Sequence, residues 1–297
     1  MPRALAFLRP ATIAEAVAML TEHGEDAKIV AGSTAVTIML QQRLIEPAAL
    51  VSIGRIDEGG LREARREDGQ LRIGALSTLR EIELDLTVRN AIPVLADTFA
   101  KVANVRVRNI ATVGGLVAEA DYASDPPAVL LALDARIEAT GPDGIRLIPV
   151  ADFFVAFYTT ALESSEIVTA VHVPLPSPGS HAVYEKFVTR SSEDRPCVGV
   201  VAAVRLAADG ATADEVRIAV GAAAETPQRF PDLEADLLGT SLDDAAVRRV
   251  ADGYAERIDT LDDMRGSAWY RREMVRVWVR RAIEHALGDA RAALAGV

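Results

Sequence analysis

Between Thr12 and His23, apolar residues fall at Ile13, Ala16, Val17 and Leu20, the spacing of one helix face. Thr12 is placed to cap that helix, Glu15 to complete a capping box and Gly24 to stop it. Ala27-Lys28-Ile29-Val30-Ala31 predicts a short buried strand, Gly32-Ser33-Thr34 a turn, and Ala35 to Leu44 a helix. Ala49 to Ile53 and Leu71 to Ala75 read as strands, and Ser77 or Thr78 caps a helix through Leu86. A helix spans roughly Ala91 to Lys101, and Arg108 to Gly115 reads as irregular and glycine-punctuated. Pro126 to Leu133 predicts a helix packed by Val129, Leu130, Leu131 and Leu133. Strands alternate from Ala135 to Pro174 around a hairpin turn at Gly141-Pro142-Asp143-Gly144. Leu175 to Ser180, rich in proline, glycine and serine, reads as a linker. Beyond it, Lys186 to Thr189, Gly199 to Ala207 and Val216 to Ala222 predict three strands of an antiparallel sheet. Helices follow at Phe230 to Leu238, Leu242 to Tyr254 and Ala268 to Leu287.

Two segments in this pattern carry candidate chemistry. Val30-Ala31-Gly32-Ser33-Thr34 follows a strand and opens a helix, a geometry that points backbone N–H groups at an anion. Ala111-Thr112-Val113-Gly114-Gly115 is a second glycine turn of the same kind. A pair of such turns predicts a site that brackets the diphosphate of a dinucleotide, and the chain reads as flavin-binding on that basis.

Composition narrows the class. The chain has 297 residues, 50% hydrophobic and 25% charged, enough for two or three small domains with cores. No apolar run reaches the length of a membrane span, and Arg9, Pro10 and Glu15 interrupt the N-terminus where a signal peptide would be apolar. The expectation is a cytoplasmic protein. Cys197 is the single cysteine, which excludes an internal disulfide and an iron–sulfur cluster held by this chain alone. Its place at the head of an apolar strand predicts a small core residue. The four histidines are scattered, so a zinc site is not expected. A formal charge of −11 argues against a nucleic-acid partner. Lysine occurs only at 28, 101 and 186, which singles out each of the three. There is no GxSxG, GxxxxGK[ST] or GxGxxG motif after a strand.

Several segments in fixed order resemble the FAD-binding medium subunits of molybdenum hydroxylases, a family that includes the flavoprotein subunits of carbon monoxide dehydrogenase and xanthine dehydrogenase. They are Ala31-Gly32-Ser33-Thr34, Ile73-Gly74-Ala75-Leu76-Ser77-Thr78 and Arg108-Asn109-Ile110-Ala111-Thr112-Val113-Gly114-Gly115. Ser124-Asp125 and Leu130-Leu131-Ala132-Leu133-Asp134-Ala135 follow. Asp152-Phe153-Phe154, Glu166-Ile167-Val168 and Val173-Pro174 fit the close of the family's flavin domain, and Lys186-Phe187 and Tyr270-Arg271 its C-terminal domain.

The resemblance implies an α+β fold. Residues 1–176 would form a two-lobed FAD-binding domain like those of PCMH and vanillyl-alcohol oxidase flavoproteins, with lobes of about 1–55 and 56–176. Residues 177–297 would pair a three-stranded antiparallel sheet with a helical bundle. It implies FAD held by Ile29, Val30, Ala31, Gly32, Ser33, Thr34, Ala35 and Val36 on one side and by Ala111, Thr112, Gly114 and Gly115 on the other. Ala103 and Glu119 would complete the lining, Ser124 and Asp125 would bond the sugar or ribityl hydroxyls, Ile167 would pack near the ring system, and Lys186 would lie close to it. For Asp125 the residues alone also fit a helix N-cap, and for Lys186 a solvated surface position. The implied partners are an iron–sulfur small subunit and a molybdopterin large subunit.

The sequence departs from the family at Ser33, where a second glycine is usual, at Ala35 and at Leu116, and it sets Glu119 and Asp121 beside a phosphate loop. Two other readings follow from those departures: a stand-alone FAD-dependent oxidoreductase of a biosynthetic pathway, and a flavin-free scaffold of the same fold.

Overall fold

The computed structural model describes residues 5–295, which build three larger sheets of different character and one two-stranded sheet. The first lobe runs β1 (Ala6–Leu8), α1 (Ile13–His23), β2 (Ala27–Val30), α2 (Val36–Gln41), β3 (Ala49–Ser52). Its three strands are parallel, in the order β1-β3-β2. Thr12 caps α1 by accepting from the Glu15 N–H at 3.1 Å, and Gly24 ends it at φ +54°. The capping box is only half formed, because the Glu15 carboxylate takes the N–H of Ala11 at 2.7 Å. Ala16, Val17 and Leu20 bury against Val51, Ile53 and Ile56.

The second lobe opens with β4 (Ala64–Glu67) and β5 (Gln70–Gly74). Helices α3 (Leu79–Leu84), α4 (Leu86–Ala91), α5 (Pro93–Ala100), α6 (Val105–Arg108), α7 (Val113–Glu119) and α8 (Pro126–Ala132) follow. The lobe closes with β6 (Arg136–Gly141), β7 (Gly144–Pro149), α9 (Val150–Phe153), β8 (Phe154–Ala156), β9 (Thr159–Thr160) and β10 (Ile167–Pro174). A five-stranded antiparallel sheet of order β4-β5-β10-β6-β7 results. Its apolar face, Leu71, Ile73, Ile137, Val171 and Val173, packs on the helices through Leu95, Phe99, Val129 and Leu130. Its other face carries Arg72, Glu138 and His172.

The C-terminal part holds β11 (Ser180–Phe187), β12 (Val198–Leu206), β13 (Ala213–Gly221) and β14 (Gln228–Arg229) in that spatial order. Helices α10 (Pro231–Ala235), α11 (Asp244–Arg257) and α12 (Ala268–Ala295) complete it. The expected first strand of this sheet lay too late in the chain: β11 starts at Ser180, directly after the linker. The expected three strands gain a two-residue fourth, β14, beside β13. Arg271 is fully buried and fixes the entry to α12: its guanidinium donates to the carbonyls of Cys197 and Ala222 and pairs with Asp263. Cys197 itself is buried and free, a core residue.

Among the described residues, no helix is long and apolar enough to cross a membrane.

Candidate functional site

The turn after β2 is built for backbone donation. No side chain caps α2, and among the described residues no protein acceptor takes the N–H groups of Gly32, Ser33, Thr34, Ala35 or Val36. Buried N–H groups are rarely left so, and five in sequence make a nest for an anion. Ser33 closes the turn at φ +58°, the left-handed conformation that glycine adopts without cost. Ile29 and Ala31 pack on the first-lobe core and Val30 is buried, so the turn is anchored from below.

The second turn lies directly against the first, although the two are far apart in sequence. A Cβ on Gly32 would overlap the carbonyl oxygen of Ile110 and sit 3.1 Å from the Cα of Ala111. Only glycine lets the two backbones approach this closely.

Most donors of the second turn are spent within the protein; the Thr112 N–H alone of residues 111–115 has no protein acceptor among the described residues. The Val113 N–H goes to the Ser77 carbonyl at 3.0 Å and that of Gly114 to the Ala75 carbonyl at 2.8 Å. Gly115 donates to Oγ1 of Thr112 at 3.1 Å, and Ala111 donates to the carbonyl of Val107 at 2.8 Å. The segment read as irregular is the capped start of α7, with Thr112 at the N-cap. Gly114 is needed because a Cβ there would stand 2.6 Å from that of Ala75, just past the end of β5. Ile110 and Ala111 thus form a wall beside the Gly32 turn, and the bonds of Val113, Gly114 and Gly115 fix the segment that follows it.

Asp125 and Lys186 meet, but not as surface groups. Asp125 is 3% exposed; it accepts from the Tyr184 O–H at 2.8 Å and pairs with the Lys186 ammonium at 3.0 Å. It makes no N-cap bond to α8. Lys186 also donates to the Lys101 carbonyl at 2.7 Å, and Lys101 donates to the Tyr184 carbonyl. Burial pushes the Asp125 carboxyl up from its ordinary range, which the charge of Lys186 and the hydrogen bond from Tyr184 oppose. Burial, reinforced by Asp125, pushes the Tyr184 phenol well up. The alternatives of an N-cap at Asp125 and a solvated Lys186 are set aside: both are members of a buried clamp between the N-terminal lobes and the C-terminal sheet. Ala103 lies two residues beyond Lys101, at φ +46°, with its carbonyl taken by Arg108 at 2.8 Å. Ser124 precedes Asp125 and donates its N–H to the Asp121 carbonyl at 2.9 Å.

Two expected residues remain, Ile167 in the core beneath the turn and Glu119 at the end of α7. Ile167 is buried with Val17, Leu20 and Leu76 in the first-lobe core, so its side chain is spent on packing. Glu119 ends α7. Burial, with Asp121 adding to it, raises its carboxyl to about 6, and Arg195 and Lys28 pull the other way. Asp121 is ion-paired with Arg195, whose loop joins β11 to β12. Sequence reasoning missed Tyr184, Lys101 and Arg195 as members of this region. For Lys101, its rarity as one of three lysines was the available signal; Tyr184 and Arg195 had none.

Comparisons with known proteins agree with this geometry. Residues 3–176 match the family described as the FAD binding domain in molybdopterin dehydrogenase, and residues 182–286 match the CO dehydrogenase flavoprotein C-terminal domain. The carbon monoxide dehydrogenase medium chain of Afipia carboxidovorans is 33% identical, covering 98% of this chain and 99% of that one. The glyceraldehyde dehydrogenase medium chain of Sulfolobus acidocaldarius is 31% identical, over 95% and 98% of the two chains. Among solved structures, carbon monoxide dehydrogenase from Hydrogenophaga pseudoflava, lacking the Mo-pyranopterin moiety of its cofactor, superposes with a TM-score of 0.92 at 33% identity. That match covers 97% of this chain and 99% of the other.

Proposed function

The chain belongs to the family of FAD-binding domains in molybdopterin dehydrogenases, and from that premise we propose that it holds FAD as the medium subunit of a molybdenum-containing hydroxylase. In this reading it works in the cytoplasm beside an iron–sulfur small subunit and a molybdopterin large subunit, and relays electrons from the clusters to an external acceptor. Both relatives named above are medium chains, and they belong to two differently named dehydrogenases. Their agreement supports the cofactor and the assembly, and leaves the substrate to the partner.

One observation carries the reading: five consecutive unclaimed N–H groups, Gly32 to Val36, in a turn backed by Ile110 and Ala111. That set fits a diphosphate, whose oxygens take many donors. Helix α2 has only six residues, so the peptide donors supply the attraction and the helix dipole adds little. FAD, when bound, supplies reversible acceptance of electron pairs. The residues of this chain hold it, orient it and exclude water. The domain division at 176/177 follows the proline-rich linker, and the Asp125 clamp holds the two parts in register.

The test is purification of the tagged protein from its native host under mild conditions. The expected result is a yellow protein with the visible spectrum of oxidised flavin, accompanied by two further subunits, one carrying iron and sulfide. A colourless protein that stays colourless after incubation with FAD overturns the cofactor assignment. A yellow protein purified alone overturns the assembly.

A further inference from the structure

A cavity of about 1090 Å³ opens between α1 of the first lobe and the polar face of the five-stranded sheet. None of the residues assigned to the diphosphate lines it. Its walls are apolar: Ile13, Val17 and the small Ala14 and Ala18 from α1 face Pro142 and Ile145 of the β6–β7 hairpin. Its floor is a pre-ordered polar array. Glu138 receives the Arg72 guanidinium at 3.0 Å, the Thr169 hydroxyl at 2.7 Å and the His172 ring at 2.9 Å. Arg72 is tied further to the Gly60 carbonyl at 3.1 Å, and Thr140 meets Thr169 at 3.1 Å. Arg72 and Thr169 are buried, so these groups stay in place whether or not anything binds. A hollow of this size, with apolar walls and a few fixed polar groups, has the construction of a small-molecule site.

Charge selects the occupant. Four carboxylates line the cavity (Glu22, Glu58, Glu67 and Glu138) against two guanidiniums, Arg65 and Arg72. Both guanidiniums are already paired: Arg65 with Glu67 at 2.7 Å, Arg72 with Glu138. An anion would therefore meet uncompensated negative charge and no free cation among the lining groups. A neutral hydrocarbon would fill the walls but leave the hydroxyl of Thr140 and the rim carboxylates desolvated. We propose that this interlobe cavity binds a small organic monocation, a protonated amine on an aromatic or aliphatic body, with the ammonium at Glu58, the lining carboxylate beside the start of α1 that no guanidinium pairs among the described residues, and the body between α1 and Ile145. Such a ligand touches both lobes at once and braces them. It stabilises the fold in proportion to its occupancy.

Isothermal titration of the full chain with phenethylammonium, and separately with 3-phenylpropionate of the same body and opposite charge, tests this directly. The expected result is saturable one-to-one binding of the cation, with the anion at least tenfold weaker, which is about 1.4 kcal/mol. Ala18→Trp, on the exposed side of α1, blocks the mouth and should cost the cation more than tenfold while the melting temperature stays at the wild-type value. If that variant does not fold, Glu58→Gln at the rim replaces it, with an expected loss of at least threefold for the cation and no loss for the anion. No saturable cation binding at millimolar concentration, equal binding of the two probes, or unchanged cation affinity in the variant overturns the proposal.

Discussion

Ser33 is the residue where the conformation of the turn and the side chain disagree. A serine at φ +58° carries the cost of left-handed backbone that glycine avoids, on the order of 1 kcal/mol. Ser33→Gly should therefore retain FAD and leave the unfolding free energy equal or up to about 1 kcal/mol higher, the gain being offset by the freer unfolded chain. Urea titration with and without FAD measures both. Gly32 is the opposite case: Gly32→Ala drives a methyl into the Ile110 carbonyl, so cofactor retention should fall by more than tenfold. Glu119 gives a pH dependence of definite sign. Its carboxyl stands at about 6 in the fold against 4.5 when unperturbed, so the folded chain holds the proton more tightly. Stability from this group is greatest below about pH 4.5, falls as pH rises through the window to about 6, and is fully lost above it. Glu119→Gln should flatten that slope and add about 1–2 kcal/mol at pH 7. The difference between the stability–pH profiles of the two proteins checks it.

At the scale of elements, the clamp between α8 and β11 is the contact that most depends on pairing. Lys186→Met leaves Asp125 buried beside Tyr184 without its cation, and such a break costs about 3–5 kcal/mol. Asp125→Leu combined with Lys186→Met should recover most of the loss, because removing both charges also removes the desolvation cost. Chemical denaturation of the single and double variants decides between a paired clamp and two independent positions. The partners in this clamp were not legible in the sequence, since Tyr184 and Lys186 lie 59 and 61 residues from Asp125. Local signals did better. The stop at Gly24, the cap at Thr78 and the Gly141–Gly144 hairpin all form as the pattern predicts, and Glu81 adds a capping box that the pattern did not single out. Helix α7 escaped prediction because two glycines weigh against a helix by about 1 kcal/mol each, and the packing of Gly114 on Ala75 outweighs that. Strand β4, Ala-Arg-Arg-Glu, carries no apolar alternation because it is a charged edge strand.

At the scale of the whole molecule, the first turn was readable because a strand, a glycine and a helix start are local features. The division of labour between the turns was not readable. It depends on which carbonyls of β5 and its flank reach Val113 and Gly114, and that is settled by tertiary packing. The account now rests on the peptide donors of one turn, with the second as its backing. Selective nitrogen-15 labelling of glycine, serine and alanine lets the amides of Gly32, Ser33 and Ala35 be followed as FAD is added, with riboflavin, which lacks the diphosphate, as the comparison. The account predicts large downfield shifts of these three amides with FAD, little change with riboflavin, and only small shifts at Gly114. Stoichiometric FAD binding that leaves Gly32, Ser33 and Ala35 unmoved would contradict it.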